Sequence, residues 1–280
     1  YKKLAGVARV VIACEDPNPE VCGQGIQLLK EAGIDVECGL LEDQARALNR
    51  GFIKRHEHGL PWVLVKMAAS IDGRTAMASG QSQWVTTPAS RQDVQKLRAK
   101  NCAIITGIGT QLMDDPSLTV RITSEQLGVE DELQQPLRVV VDSQLQMQSS
   151  ARMLTQLGNT LIATLDGKSQ REKSAALVAA GAEVVFLPAH GEYVDLYALL
   201  KELAERQCNS VMVEAGAGLA GGFIAEGLLD ELVCYWAPKL FGSDARPMFN
   251  LPINTIDAHL ALSIQDIRQI GEDLRITMYP

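Results

Sequence analysis

The chain has 280 residues, 46% hydrophobic and 21% charged, with a formal net charge of −8. A chain of this length buries a sizeable core without disulfides or metals, and holds roughly one or two domains of about 100–200 residues. The acidic balance and the lack of a dense Lys/Arg run argue against nucleic acid, whose binding rests on phosphate neutralisation. There is no apolar run of the roughly 18 residues a membrane span needs, and no signal peptide.

Taken in chain order, VARVVIAC (7–14) reads as a buried parallel strand. DPNPE breaks it, GIQLLKEAG (25–33) reads as a helix closed by Gly33, and IDVECG (34–39) as a second strand. This is one βαβ unit, too short to stand as a domain. Tyr1 opens in mid-element, as in a fragment of a longer protein. Residues 41–55 read as one exposed connecting helix and HEHGLP (56–61) as a polar loop, where we place the domain boundary. WVLVKMAAS (62–70) is a strand and IDG a turn. The next helix starts with Thr87 as N-cap and Pro88 at its first position. Strands CAIIT, LRVVVD, TLIATL, AEVVFL and SVMVEA then alternate with helices, notably 170–180 and 194–206, so the class is α/β with a largely parallel sheet. The last strands, ELVCYWAP, ALSIQDIRQI and LRITMY, have no clear helix between the final two, which predicts an antiparallel edge. Six cysteines (Cys14, Cys22, Cys38, Cys102, Cys208 and Cys234) form no C-x-x-C and mostly sit in apolar runs, which reads as buried free thiols in a reducing cytoplasm.

Four stretches can carry chemistry. EAGAGLAGG (214–222) holds G-x-G-x-x-G as Gly216, Gly218 and Gly221, after a strand and opening a helix. Glycines there let a pyrophosphate approach the backbone, and the helix start offers unpaired N–H groups. The alternative is a tight turn for helix–strand packing. The motif lies late in the chain and no acid ends the next strand, so it is not the usual dinucleotide fingerprint. KMAASIDGRTAMASGQSQWVT (66–86) is a strand followed by a small-residue loop, or an ordinary surface loop; Lys66 inside it is costly unless paired or facing a ligand. Arg98 and Arg121 are guanidiniums suited to phosphate, although either alone is more often a solvated surface group. Asp114 and Asp115 in TQLMDDP could orient a ribose or a metal, or simply mark a loop. His56, His58, His190 and His259 form no H-E-x-x-H, and no G-x-S-x-G occurs, so zinc-protease and serine-hydrolase readings fail.

Taken together, KMAASIDGRTAMASGQSQWVT, TGIGTQLMDDPSLTVR, VVVDS, VMVEAGAGLAGGFIAEGLLDEL and APKLFGSDAR resemble the reductase domain of bacterial bifunctional riboflavin-biosynthesis deaminase/reductases. AGVARVVIACEDPNP through ECG resembles the end of that family's deaminase domain. The resemblance covers essentially the whole chain in order. It implies a dihydrofolate-reductase-like domain over 59–280, with a mostly parallel sheet and an antiparallel edge. Ahead of it, 1–58 would be a βαβ remnant of a cytidine-deaminase-like domain with its connecting helix. The family's zinc-holding H-x-E and P-C…C segments are absent from the deaminase-like residues 1–58, so zinc and deaminase (hydrolase) activity are expected only in a full-length protein.

The resemblance implies an NADPH-dependent oxidoreductase of riboflavin biosynthesis that reduces 5-amino-6-(5-phosphoribosylamino)uracil to its ribitylamino form. It places NADPH on Ala68, Trp84, Thr110, Asp114, Ser143 and the loop Gly216, Ala217, Gly218, Leu219, Ala220, Gly221 and Gly222. It places the pyrimidine on Ser82, Arg98, Leu118, Arg121 and Glu214, with Arg98 and Arg121 clamping the 5′-phosphate. Glu214 and Lys66 are the candidate catalytic groups, and Ser143 a member of the 2′-phosphate pocket. A cytoplasmic homodimer or homotetramer acting on a small molecule is expected. Two rival readings stand beside it: a related pyrimidine or pteridine reductase with another substrate, and a non-catalytic nucleotide-binding module.

Overall fold

The computed structural model describes residues 6–280; Tyr1–Ala5, and with them the expectation that Tyr1 opens in mid-element, lie outside the described residues. The chain divides into two compact units, Tyr1–Trp62 with Leu203–Asn209, and Val63–Glu202 with Ser210–Pro280.

The first unit contains β1 (Arg9–Ile12), α1 (Gln24–Glu31), β2 (Asp35–Cys38), α2 (Glu42–Leu48) and α3 (Arg50–His58). β1 and β2 pair in parallel, Arg9 opposite Asp35 and Ile12 opposite Cys38, so the βαβ unit is present. β1 is not the buried strand its β-branched run suggested: its residues alternate between exposed and half-buried, and Val11 is 46% exposed. Leu29, Ile34 and Ile53 are buried. The expected single helix is two, because Asn49 leaves helical geometry with ψ at 25°. α3 then runs through HEH, so His56 and His58 are helical rather than in a loop. Gly59 ends it at φ 69°, the left-handed conformation glycine adopts freely. Asn209 ties down the return segment: it accepts from Arg55 Nε at 2.7 Å through its side chain and from Trp62 N at 2.9 Å through its carbonyl. A Cβ on Gly51 would stand 2.5 Å from that same carbonyl, which is why glycine is needed there.

The second unit contains, in order, β3 (Trp62–Ser70), β4 (Arg74–Ala76), α4 (Pro88–Ala99), β5 (Ala103–Gly107), α5 (Ile108–Asp114), α6 (Ser124–Leu127), β6 (Leu137–Val141), β7 (Thr160–Leu165), α7 (Lys168–Ala179), β8 (Ala182–Leu187), β9 (Ala189–His190), β10 (Tyr193–Val194), α8 (Leu196–Glu205), β11 (Ser210–Val213), α9 (Ala217–Ala225), β12 (Glu231–Ala237), β13 (Arg246–Pro247), β14 (Ser263–Ile270) and β15 (Asp273–Tyr279). Its main sheet has nine strands among the described residues, in the order β14-β15-β12-β3-β11-β5-β6-β7-β8. The pairs β12–β3, β11–β5, β5–β6, β6–β7 and β7–β8 are parallel, and β12–β15 and β14–β15 antiparallel. The mostly parallel α/β sheet with an antiparallel edge is therefore the fold. Central strands are buried almost throughout, as the β-branched runs demand when both faces are covered. TQLMDDP, for which a loop was one of the two readings, lies mostly in the helix α5. The six thiols are free, but only Cys208 and Cys234 are buried; Cys22, Cys38 and Cys102 are exposed. Among the described residues no helix is long and apolar enough to cross a membrane.

Candidate active site

Three charged side chains from three elements meet just past the end of β11. Glu214 follows the buried run Ser210–Val213, and its N–H donates to Ile105 O at 2.9 Å, fixing it beside β5. Arg98, near the end of α4, donates to the carboxylate through Nε at 2.6 Å and Nη2 at 3.1 Å. Lys66 Nζ, from the middle of β3, lies 3.6 Å from Glu214 Oε2. The side chains are 10% exposed for Glu214, 11% for Arg98 and 16% for Lys66. Burial by itself would raise the Glu214 carboxyl, but the adjacent Arg98 and Lys66 charges outweigh it and hold it down at about 2. Burial, with Arg98 nearby, lowers the Lys66 ammonium despite the pull of Glu214. Two cations around one carboxylate leave a net positive charge in a nearly dry place, which favours an anionic group on a ligand.

The glycine stretch begins two residues beyond Glu214. Gly216 caps α9 with extended backbone, and no side chain caps that helix start. A Cβ on Gly218 would meet nothing within 4 Å, so this position is open to a ligand. Gly221 has the other use of glycine: a Cβ there would stand 2.2 Å from Asn250 O, so it serves close packing. The packing reading of the motif therefore applies at Gly221, while Gly218 leaves room beside the backbone. A Cβ on Gly216 would lie 3.7 Å from Thr110 Oγ1, and one on Gly107 3.4 Å from Leu219 Cδ2. The turns after the adjacent parallel strands β11 and β5 therefore face each other, the crevice where α/β sheets bind ligands.

The remaining expected residues are placed as follows. The segment before α6 is stitched along α4, with Thr119 O accepting from Arg98 Nη1 at 3.0 Å and Arg121 N donating to Gln95 Oε1 at 2.9 Å. This brings Arg121, whose side chain is exposed, into the neighbourhood of Arg98. The clamp expected of Arg98 is reduced, since three of its bonds go to Glu214 and Thr119. Leu118 sits at φ 48° and is 4% exposed, buried in a cluster with Ile104, Val140 and Leu145, so the contact expected of its side chain is not on offer at the surface. Ala68 is half-buried on β3, two residues from Lys66. Ser82 is half-buried, and Trp84 is exposed with the Arg91 guanidinium 4.2 Å over its ring. Asp114 ends α5, and partial burial raises its carboxyl. Asp115 turns away to accept from Arg152 N at 3.0 Å. Ser143 Oγ accepts from Val194 N at 3.1 Å, and its carbonyl from Thr164 Oγ1 and Gln170 Nε2.

Sequence reading missed the groups that hold the small-residue loop. Lys239 Nζ donates to Trp84 O at 3.1 Å and Val85 O at 2.7 Å, and Arg91 Nη1 to Thr86 O at 2.7 Å. Asp72 accepts from Phe241 N and Gly242 N. The one available signal was Lys239 itself, a charge two residues after the end of strand β12. Among the described residues no group of three or more His, Cys, Asp or Glu is placed to hold a metal.

Comparison with known proteins gives the family. Residues 61–276 match the family described as RibD C-terminal domain. The riboflavin biosynthesis protein RibD of Escherichia coli K12 is 43% identical over 276 residues, covering 96% of this chain and 74% of that protein. Its counterpart from Haemophilus influenzae is 42% identical, covering 99% and 74%. The solved structure of Acinetobacter baumannii RibD superposes with a TM-score of 0.86 at 39% identity, covering 99% of this chain and 74% of that one. A Thermotoga maritima structure, described as a diaminohydroxyphosphoribosylaminopyrimidine deaminase/5-amino-6-(5-phosphoribosylamino)uracil reductase, gives 0.84 at 25% identity, covering 99% and 73%. The chain belongs to the RibD family of riboflavin biosynthesis, and residues 61–276 are its reductase-bearing C-terminal domain.

Proposed function

We propose that this chain reduces the ribosyl group of 5-amino-6-(5-phosphoribosylamino)uracil to the ribitylamino product, with NADPH as reductant. The supporting observation is the net-positive Lys66–Glu214–Arg98 array, joined within two residues to a glycine turn open at Gly218. The residues fit NADPH: the uncapped start of α9 and the open Gly218 suit its pyrophosphate. Thr110, Asp114, Ser143, Ala68 and Trp84 complete the set we assign to it. When bound, NADPH supplies the hydride that reaches ribose C1′.

The chain's own part is positioning and proton control. An Arg has five N–H donors; those of Arg98 not spent on Glu214 and Thr119, with the exposed Arg121, take the 5′-phosphate. Glu214, held ionised, accepts from ribose hydroxyls and orients the sugar. Lys66 Nζ holds its proton less tightly than an exposed lysine and gives it to the ribose ring oxygen as the C1′–O bond opens. Ser82 borders the pyrimidine, with the buried Leu118 behind it. We assign 1–58 to the end of a deaminase domain whose zinc-holding residues lie outside this sequence.

The test is NADPH oxidation by the purified chain with and without the pyrimidine. Oxidation that depends on the pyrimidine and weakens when the 5′-phosphate is removed is expected. Equal turnover without the phosphate would transfer the site to another pyrimidine or pteridine. NADPH binding with no oxidation would leave a nucleotide-binding module.

A further inference from the structure

Four polar side chains on the same unit, Tyr235 and Asp273 fully buried and Asp93 and Arg275 partly so, have no part in the chemistry above. Asp93, on α4, accepts from Tyr235 Oη at 2.6 Å and from Arg275 Nη1 at 3.1 Å. Tyr235, on β12, is fully buried among Leu64, Val94, Leu97, Met212 and Val233. Asp273, at the start of β15 and also fully buried, accepts from Thr87 N at 2.8 Å, Thr87 Oγ1 at 2.7 Å and Ser90 Oγ at 2.6 Å. Thr87 was expected to cap α4 with its own side chain; its hydroxyl donates to Asp273 instead, and no side chain caps the helix start. β12 and β15 thus grip α4 at its first turn and again at its middle.

The middle grip bears on the active site through helix geometry. Ser90, Val94 and Leu97 form the buried stripe of α4. At 100° per residue, Asp93 and Arg98 stand about 140° apart around the axis, on opposite flanks of that stripe. Asp93 is held toward β12 and β15, and Arg98 toward Glu214 at the end of β11. A rotation of α4 that loosened one flank would displace the other. Burial, and Asp93 beside it, push the Tyr235 hydroxyl up, so it remains a donor to Asp93.

We propose that Asp93, clamped by Tyr235 and Arg275, is a positioning residue for the reductase site, setting the rotation of α4 and so the direction in which Arg98 holds Glu214 and meets the substrate. The inference rests on the reading of the Lys66–Glu214–Arg98 array as the substrate site. Its mark is selectivity. The pyrimidine depends on Arg98, whereas the assigned NADPH residues Thr110, Ser143 and Gly216–Gly222 lie on other elements.

The experiment compares KM for the pyrimidine, KM for NADPH and thermal midpoint in Asp93→Asn, Tyr235→Phe, Arg275→Gln and Arg275→Lys. A misplacement of about 1 Å can cost about 10²-fold; a smaller shift here should show as a rise of roughly tenfold in the pyrimidine KM of the first three variants. The NADPH KM should stay within about twofold of wild type. Arg275→Lys should recover most of what Arg275→Gln loses. An unmoved pyrimidine KM, or two KM values rising together with a falling midpoint, would overturn the inference in favour of a purely structural clamp. Should Arg275→Gln fail to fold, Tyr235→Phe decides, because it removes a single hydroxyl. A wild-type chain that leaves the pyrimidine unreduced sinks the functional reading and this inference together; wild-type turnover with unmoved variants sinks this inference alone.

Discussion

Glu214 and Lys66 show what a single atom's surroundings decide. Replacing Glu214 by Gln leaves the Arg98 and Lys66 charges nearly buried and facing each other with no anion between them. Breaking a buried ion group by removing one partner costs about 3–5 kcal/mol, so denaturant unfolding should show a loss of that size along with lost turnover. Lys66→Met is the informative contrast. Glu214 keeps both bonds to Arg98, and an apolar side chain of similar volume in place of a buried charge is often neutral, so stability should change little, while kcat falls by about 10²–10⁴ if Nζ delivers the proton. Normal kcat in a folded Lys66→Met variant would return proton donation to solvent. At this scale the sequence was half legible. A lysine inside WVLVKMAAS is anomalous on its own, because an ammonium in an apolar strand demands a partner. The partner was not legible: Arg98 and Glu214 lie 116 residues apart and meet only because α4 and β11 are brought side by side.

The glycine turn between β11 and α9 separates two demands that one motif merges. Gly218→Val should fold normally, since its Cβ enters open space, and should lose NADPH, which equilibrium binding would show. Gly221→Ala should do the reverse. Its Cβ runs into Asn250 O, and overpacking of this kind costs about 1–3 kcal/mol, read in the unfolding midpoint. Normal NADPH affinity in a folded Gly218→Val variant would reject the cradle. Elements with strong local signals were legible: alternating strands and helices, the Gly-rich turn, the antiparallel edge. Elements whose fate depends on what covers them were not. β1 has the β-branched composition of a buried strand, yet half its residues are exposed. The 41–55 helix broke at Asn49, where no proline or glycine announces a break.

At the scale of the molecule, the charges of the site set how stability responds to acid. Glu214 has its folded pKa depressed to about 2 from an ordinary 4.5, so its contribution is complete above about pH 4.5 and drains away as pH falls toward 2. Lys66 is also depressed, so the unfolded chain binds its proton more tightly and stability climbs as pH rises toward 10.5. Both slopes make acid the weak side. Unfolding midpoints should fall between about pH 6 and pH 3, less steeply in Glu214→Gln, and equal slopes in the two proteins would refute that origin. The sheet order carries a further consequence, one of time. β3 is the first strand of its sheet to be made, yet it lies between β11 and β12. Val63 N reaches Asp230 Oδ2 across 167 residues of chain. At about 5–20 residues per second, β3 waits on the order of 10–30 s on the ribosome for its neighbours. Throughout that wait its edges are unpaired and Lys66 has no carboxylate to face. Nascent chains halted before Glu231 should therefore be protease-sensitive, and those carried through Tyr279 resistant, because the surroundings of Lys66 wait on strands made long after β3.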